Sequence, residues 1–111
     1  MNWIHITTPE QIELIRQQSY QLPQLIFKYS TRCSISSMAL NRFERAAPPT
    51  GIDFYFLDLI KYRNLSHIVA ETFKVQHESP QVLLIKNGEC VYDESHSGID
   101  LEEITEQAVR A

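Results

Sequence analysis

Apolar and polar residues along this chain follow two periods, and the switches between them mark the elements. Trp3-Ile4-His5-Ile6 has the two-residue alternation of a short strand. Thr7-Thr8-Pro9-Glu10-Gln11 reads as a helix start: Thr8 is the N-cap, Pro9 takes the first helical position, and Gln11 completes a capping box. Ile12 and Ile15 give that helix an apolar face, which runs to about Tyr20. Leu25-Ile26-Phe27-Lys28-Tyr29 is a nearly continuous apolar run, as expected of a central strand covered on both faces. Ser34 to Arg45 carries Ile35, Met38, Ala39 and Phe43 at helical spacing. Ala47-Pro48-Pro49-Thr50-Gly51 is a loop, and Asp53-Phe54-Tyr55-Phe56-Leu57 is a second buried strand. Asn64 is placed to cap a helix whose inner face is Leu65, Ile68, Val69 and Phe73. Beyond Pro80 the period changes. Gln81–Lys86 and Glu89–Tyr92 read as strands joined by Asn87-Gly88, a two-residue hairpin turn. Asp100-Leu101-Glu102-Glu103 opens a last helix with Leu101, Ile104 and Ala108 inward. The predicted order is β-α-β-α-β-α-β-β-α: an α/β domain over residues 1–111, with a mixed central sheet and helices on both faces.

Composition narrows the function classes. With 43% hydrophobic and 22% charged residues in 111, the chain fits one folded domain rather than a disordered or fibrous segment. Ten Lys+Arg against 14 Asp+Glu leave a formal net charge of −4, which argues against a nucleic-acid partner. No stretch has the length and apolarity to span a bilayer, and the first residues lack the pattern of a secretory signal. A cytoplasmic protein with no membrane partner is the expectation, and there a cysteine stays a thiol unless it does redox chemistry. Two cysteines are too few for a disulfide scaffold or a Cys-based zinc site. His5, His67, His77 and His96 show no metal-ligand spacing, so no metal and no bound cofactor are expected.

The candidate chemistry sits at Cys33, between a predicted strand and the N-terminus of a predicted helix. Unpaired N–H groups and the positive end of the helix dipole favour a thiolate there. Arg32 adds a positive charge, and Ser34 and Ser36 can donate hydrogen bonds to the sulfur, which again favours the charged form. Each of these residues also has a bland reading: Arg32 as a solvated loop charge, and the two serines as ordinary first-turn residues. Ser36 stands three residues after the cysteine, where a dithiol protein has its second thiol, so mixed disulfides on Cys33 need an outside thiol for release. Pro80 begins the strand expected to run antiparallel to Leu25–Tyr29, which places Ser79-Pro80 beside Cys33. A cis Ser79–Pro80 bond is expected there, freeing the Ser79 backbone to pair with an extended substrate. Lys28 can snorkel to the same sheet end. Gly98-Ile99-Asp100 reads as a loop and N-cap, with a carboxylate site on free N–H groups as the lesser alternative. At ~3.3 Å per residue, the strand from Pro80 to Lys86 holds the hairpin turn about 20 Å away. A disulfide needs Cα atoms within roughly 7 Å. Cys90 is therefore expected to be unpaired, buried and inert.

The element order resembles the thioredoxin fold, in which the loop after the second strand carries the reactive cysteine. At Phe27-Lys28-Tyr29-Ser30-Thr31-Arg32-Cys33-Ser34-Ile35-Ser36 and His77-Glu78-Ser79-Pro80-Gln81-Val82 the chain resembles the bacillithiol-system redox-active proteins, the monothiol bacilliredoxins of the thioredoxin superfamily. One departure is Tyr29, where that pattern has His. The resemblance implies that Cys33 is the active thiol and Pro80 the cis proline. It further implies exchange with S-thiolated client proteins, using bacillithiol or another low-molecular-weight thiol as co-substrate. A non-catalytic peptide-binding module built on the Pro80 edge is the alternative. An iron–sulfur carrier ranks third, because Cys33-Ser34-Ile35-Ser36 lacks the Cys-Gly-Phe-Ser motif of such proteins.

Overall fold

The computed structural model describes residues 1–31 and 34–110. Arg32 and Cys33 lie outside the described residues. The elements are β1 (Ile4–His5), α1 (Pro9–Gln18), β2 (Gln24–Tyr29), α2 (Ser34–Arg45), β3 (Asp53–Asp58), α3 (Arg63–Phe73), β4 (Gln81–Lys86), β5 (Glu89–Ser95), a short 3₁₀ turn (His96–Gly98) and α4 (Leu101–Val109). The strands form one mixed sheet in the order β1-β3-β2-β4-β5. β1, β3 and β2 are parallel, whereas β4 pairs antiparallel with both β2 and β5. The fold class is the expected α/β one.

Side-chain alternation on the central strands sorts the core into two layers. Ile26, Tyr55, Leu57, Leu83 and Ile85 pack against Ile12 and Ile15 of α1 and Leu65, Val69 and Phe73 of α3. Leu25, Phe27, Phe54, Val82 and Leu84 pack against Ala39 and Phe43 of α2 and Ile104 and Ala108 of α4. Burial on both faces explains why β2 and β4 read as apolar runs rather than alternating ones. Trp3 closes the second layer, with its ring centroid 5.4 Å from that of Phe43 and 5.6 Å from that of Phe27. Among the described residues, no helix is long and apolar enough to cross a membrane.

Local signals set most boundaries. The Gln11 side-chain oxygen accepts the Thr8 N–H at 3.0 Å and its Nε2 donates to the His5 carbonyl, fixing the entry to α1. Asp100 caps α4 by accepting the Glu102 N–H at 3.1 Å. Asn64, expected as an N-cap, instead lies inside α3, whose N-cap is Tyr62. The cause is Asp58: its carboxylate accepts the Ile60 and Lys61 N–H groups and its carbonyl accepts the Tyr62 N–H. That turn winds the chain into the helix before Asn64 is reached. β1 is shorter than the expected Trp3–Ile6, although the Ile6 N–H still bonds the Phe56 carbonyl at 3.0 Å. β5 runs three residues past the expected Tyr92, with a bulge that leaves Val91 without a partner opposite Leu84 and Ile85.

The hairpin is tight. Asn87 and Gly88 have φ of 53° and 81°, and a Cβ on Gly88 would meet the Tyr20 ring. Gly88→Ala should therefore destabilise the protein by roughly 1 kcal/mol or more, because its left-handed backbone penalises a side chain. Urea unfolding checks this, and an unchanged midpoint would contradict it.

Candidate active site

The antiparallel register of β2 and β4 builds the site. Lys28 pairs with Gln81, so Ser79-Pro80 sits one step further, level with Tyr29 at the end of β2. The Ser79–Pro80 peptide bond is cis, as the sequence led us to expect. Pro80 is buried, and its carbonyl accepts the His96 N–H at 2.9 Å. Gln81 is the clamp of this corner and was not anticipated. Its buried amide donates to the Gln76 carbonyl at 3.0 Å and accepts the Glu78 N–H at 3.3 Å, pinning the loop that carries Ser79. The Ser79 Oγ is buried and makes no hydrogen bond.

Opposite this loop, α2 starts at Ser34, the residue after Cys33. Its first turn is tied back to the strand end. The fully buried Ser36 accepts the Ser30 N–H at 3.3 Å, and the hydroxyls of Tyr29 and Ser37 lie 3.4 Å apart. The bond at Ser36 uses an oxygen lone pair and leaves the O–H as a donor. Ser34 is exposed at the first helical position. The first turn of α2 holds no acidic residue, whereas Arg42 and Arg45 occupy its last turn. The positive end of its dipole is thus uncompensated by its own side chains. At α4 the reverse holds: Asp100, Glu102 and Glu103 fill the first turn. The N-cap reading of Gly98-Ile99-Asp100 stands, and the alternative of an external carboxylate there is corrected, because the chain supplies its own.

Lys28 gives the least expected feature. It has no exposed surface, although it is a lysine in the middle of a sheet. Its Nζ lies 3.3 Å from Nδ1 of His77, which is also 3.0 Å from the Ser66 Oγ. Donation by the ammonium to Nδ1 leaves the imidazole proton on Nε2. Burial pushes the Lys28 ammonium down to about 8, partly offset by the fields of Cys90, Asp93 and Glu78. Burial, then the charges of Lys28 and His67, hold His77 below the usual imidazole range. The signal in the sequence was a lone lysine inside an apolar strand. At the sheet end the Lys28 Nζ meets His77, itself bonded to Ser66 of α3, and any approach to Cys33 lies outside the described residues.

Cys90 is half-buried rather than enclosed, since it lies on the edge strand β5. Its Sγ is 3.4 Å from the Tyr92 carbonyl oxygen, and burial with the nearby Asp93 pushes its thiol up to about 11. That makes it a poor nucleophile at neutral pH. A cavity of about 280 Å³ opens at the site end, lined by Ser30, Leu59, Arg63, Ser66, His77 and Ser79 among others. A larger cavity, about 600 Å³, lies elsewhere, between α2 and α4 around Phe43 and Leu101.

A cis proline level with the strand end from which the chain passes on to the N-terminus of α2 is the arrangement of the thioredoxin fold, and comparison with solved structures agrees. The chain is similar to a thioredoxin-fold protein named as a candidate oxidoreductase, with 28% identity, a TM-score of 0.81, and 94% of this chain and 91% of that one covered. The Malassezia sympodialis thioredoxin aligns at 17% identity and a TM-score of 0.73, covering 96% of this chain and 91% of its own. The oxidised thioredoxin of Plasmodium falciparum aligns at 16% and 0.71, covering 96% and 99%. These two show the fold alone. The sequence pattern of the monothiol bacilliredoxin BrxC family matches residues 4–104, and the chain belongs to that family. Family and fold together support a redox function of the oxidoreductase type.

The buried ammonium has a consequence for stability. Lys28 holds its proton less well folded than unfolded, so the unfolded chain binds more protons between about pH 8 and 10.5 and stability rises with pH through that window. Cys90 acts the opposite way above pH 9, because the unfolded thiol ionises first. The unfolding free energy should therefore climb between pH 8 and 9, and Lys28→Met should remove that climb. At pH 7, where the penalty is fully present, Lys28→Met should stabilise the protein by roughly 1–3 kcal/mol. Denaturant unfolding across this range checks both statements, and a destabilised Lys28→Met would contradict them.

Proposed function

We propose that this protein is a monothiol thiol–disulfide oxidoreductase acting through Cys33. The Cys33 thiolate attacks the small-molecule sulfur of a mixed disulfide on a client protein. The S–S bond breaks, the client sulfur leaves as thiolate, and the small thiol is now held on Cys33. A second small thiolate attacks that disulfide, leaves with the first as a symmetric disulfide, and restores the Cys33 thiolate. Bacillithiol, or another low-molecular-weight thiol, is the co-substrate, and S-thiolated proteins are the clients. No metal or nucleotide enters the cycle.

The observation that carries this reading is the uncompensated N-terminus of α2, which follows Cys33 directly and shares a sheet end with the cis Ser79–Pro80 corner. Helix N–H groups and the positive dipole end lower a thiol's pKa. Arg32, which precedes the cysteine in sequence, adds to that field. Ser34 occupies the first helical turn, and Ser36 has an O–H to offer. Ser79, with its backbone beside the cis bond, is the place for an extended client segment to pair. Ser36 in place of a second cysteine sets the monothiol outcome.

Removal of bacillithiol from a bacillithiolated test protein, with excess free bacillithiol, tests the cycle. Cys33→Ala should lower the rate at least about a hundredfold, as expected when a covalent nucleophile is lost. Ser36→Cys should convert a mixed disulfide on residue 33 into an internal disulfide, visible by mass spectrometry. Full activity of Cys33→Ala, with client binding intact, would overturn the enzyme reading in favour of the peptide-binding module.

A further inference from the structure

The cavity beside the site is lined without a single carboxylate among the described residues. Arg63 and His67 from the first two turns of α3 and His77 from the loop before β4 form one wall. Beneath His77 lies Lys28, fully buried and donating to its Nδ1. Neither Lys28 nor Arg63 makes an ion pair with a described carboxylate. The acids nearby are engaged or distant. Asp58 is bonded to the Ile60 and Lys61 N–H groups, Glu78 pairs with His96 at 3.5 Å, and Asp93 and Cys90 approach Lys28 from β5 without reaching ion-pair distance.

A buried ammonium with no carboxylate at ion-pair distance among the described residues is costly. Such an arrangement is suited to an anion supplied from outside. Ser79 adds a second mark of a vacant partner, because its Oγ is buried, lines the cavity and has no hydrogen-bond partner. At about 280 Å³ the cavity is near the lower limit of small-molecule pockets, the right scale for a carboxylate-bearing arm. Its remaining walls are Ser30, at the end of β2, and the apolar Leu59 and Ile60. Cys33 is three residues along the chain from Ser30.

We propose that this cavity is the subsite for a carboxylate of the small thiol, held by Arg63, His67 and the Lys28–His77 pair, with Ser79 donating its hydroxyl. The inference rests on the redox reading for the identity of the ligand, and it deepens that reading by naming the recognised charge. In the exchange step, the Cys33 thiolate attacks one sulfur of a small disulfide, the S–S bond breaks, and the other half leaves as thiolate. A carboxylate on the attacked half is what the subsite would select.

Three symmetric disulfides separate the possibilities: dithiodipropionate, its uncharged diamide, and cystamine. Rates are measured in a Cys90→Ser background and normalised to a free N-acetylcysteinamide thiol. The expected order is acid, then amide, then amine, with the acid about tenfold faster than the amide, a difference of about 1.4 kcal/mol. Arg63→Gln and Lys28→Met should each bring the acid-to-amide ratio towards one, as should high salt. A parallel titration with 3-(methylthio)propionate, which cannot exchange, should shift the backbone amide resonances of Ser66, His67 and Ser79, while the corresponding amide leaves them unmoved. If all three disulfides react and the ratio is already one, the redox reading stands and the subsite is overturned. If none reacts yet the titration shifts those amides, the anion site stands and the redox reading fails. A titration that leaves Ser66, His67 and Ser79 unmoved overturns the subsite whatever the rates.

Discussion

Pairing of β4 against β2 is the constraint from which the site follows. Antiparallel pairing with Lys28 opposite Gln81 delivers the Ser79-Pro80 corner to the strand end at which the chain leaves for Cys33 and α2. A shift by one residue would carry Gln81 out of the pocket where its amide holds Gln76 and Glu78, and would turn the apolar side chains of β4 to the wrong layers. The two core layers therefore enforce the register, and the register enforces the site. Ser36 and Tyr29 complete the frame by tying the first turn of α2 to the end of β2.

Charge is distributed unevenly around this frame. The chain is acidic overall, and several of its acids cap or pair: Asp58 before α3, Asp100 at α4, Glu78 with His96. The first turn of α2 is left without one. On the other side of the sheet Lys28 is enclosed with His77 as its partner among the described residues, at a cost to stability. Sites that must accept an external charge carry such costs, because compensating them internally would occupy the site.

Much of this was legible in the sequence, and the physical reasons are specific. The apolar run at 25–29 announced a strand covered on both faces, Asn87-Gly88 announced the hairpin, and the expected antiparallel pairing of the strand after Pro80 with Leu25–Tyr29 located the cis corner. Local capping chemistry differs at Asn64, because Asp58 starts the turn six residues earlier, its carboxylate holding the Ile60 and Lys61 N–H groups and its carbonyl that of Tyr62. The environment of Lys28 was not legible. Whether a lysine in a strand reaches water depends on what covers the strand end, and His77 arrives there from 49 positions away. Gln81 was missed for the same reason, since a glutamine at a strand start is ordinary until the loop it holds is known.

The central claim is that Cys33 is an activated thiolate set by the N-terminus of α2, and its alkylation rate against pH in a Cys90→Ser background tests that claim most directly. The account predicts a midpoint below about 7. A midpoint at or above ~8.5, the value of an unperturbed thiol, or no reaction in the folded protein, would contradict it.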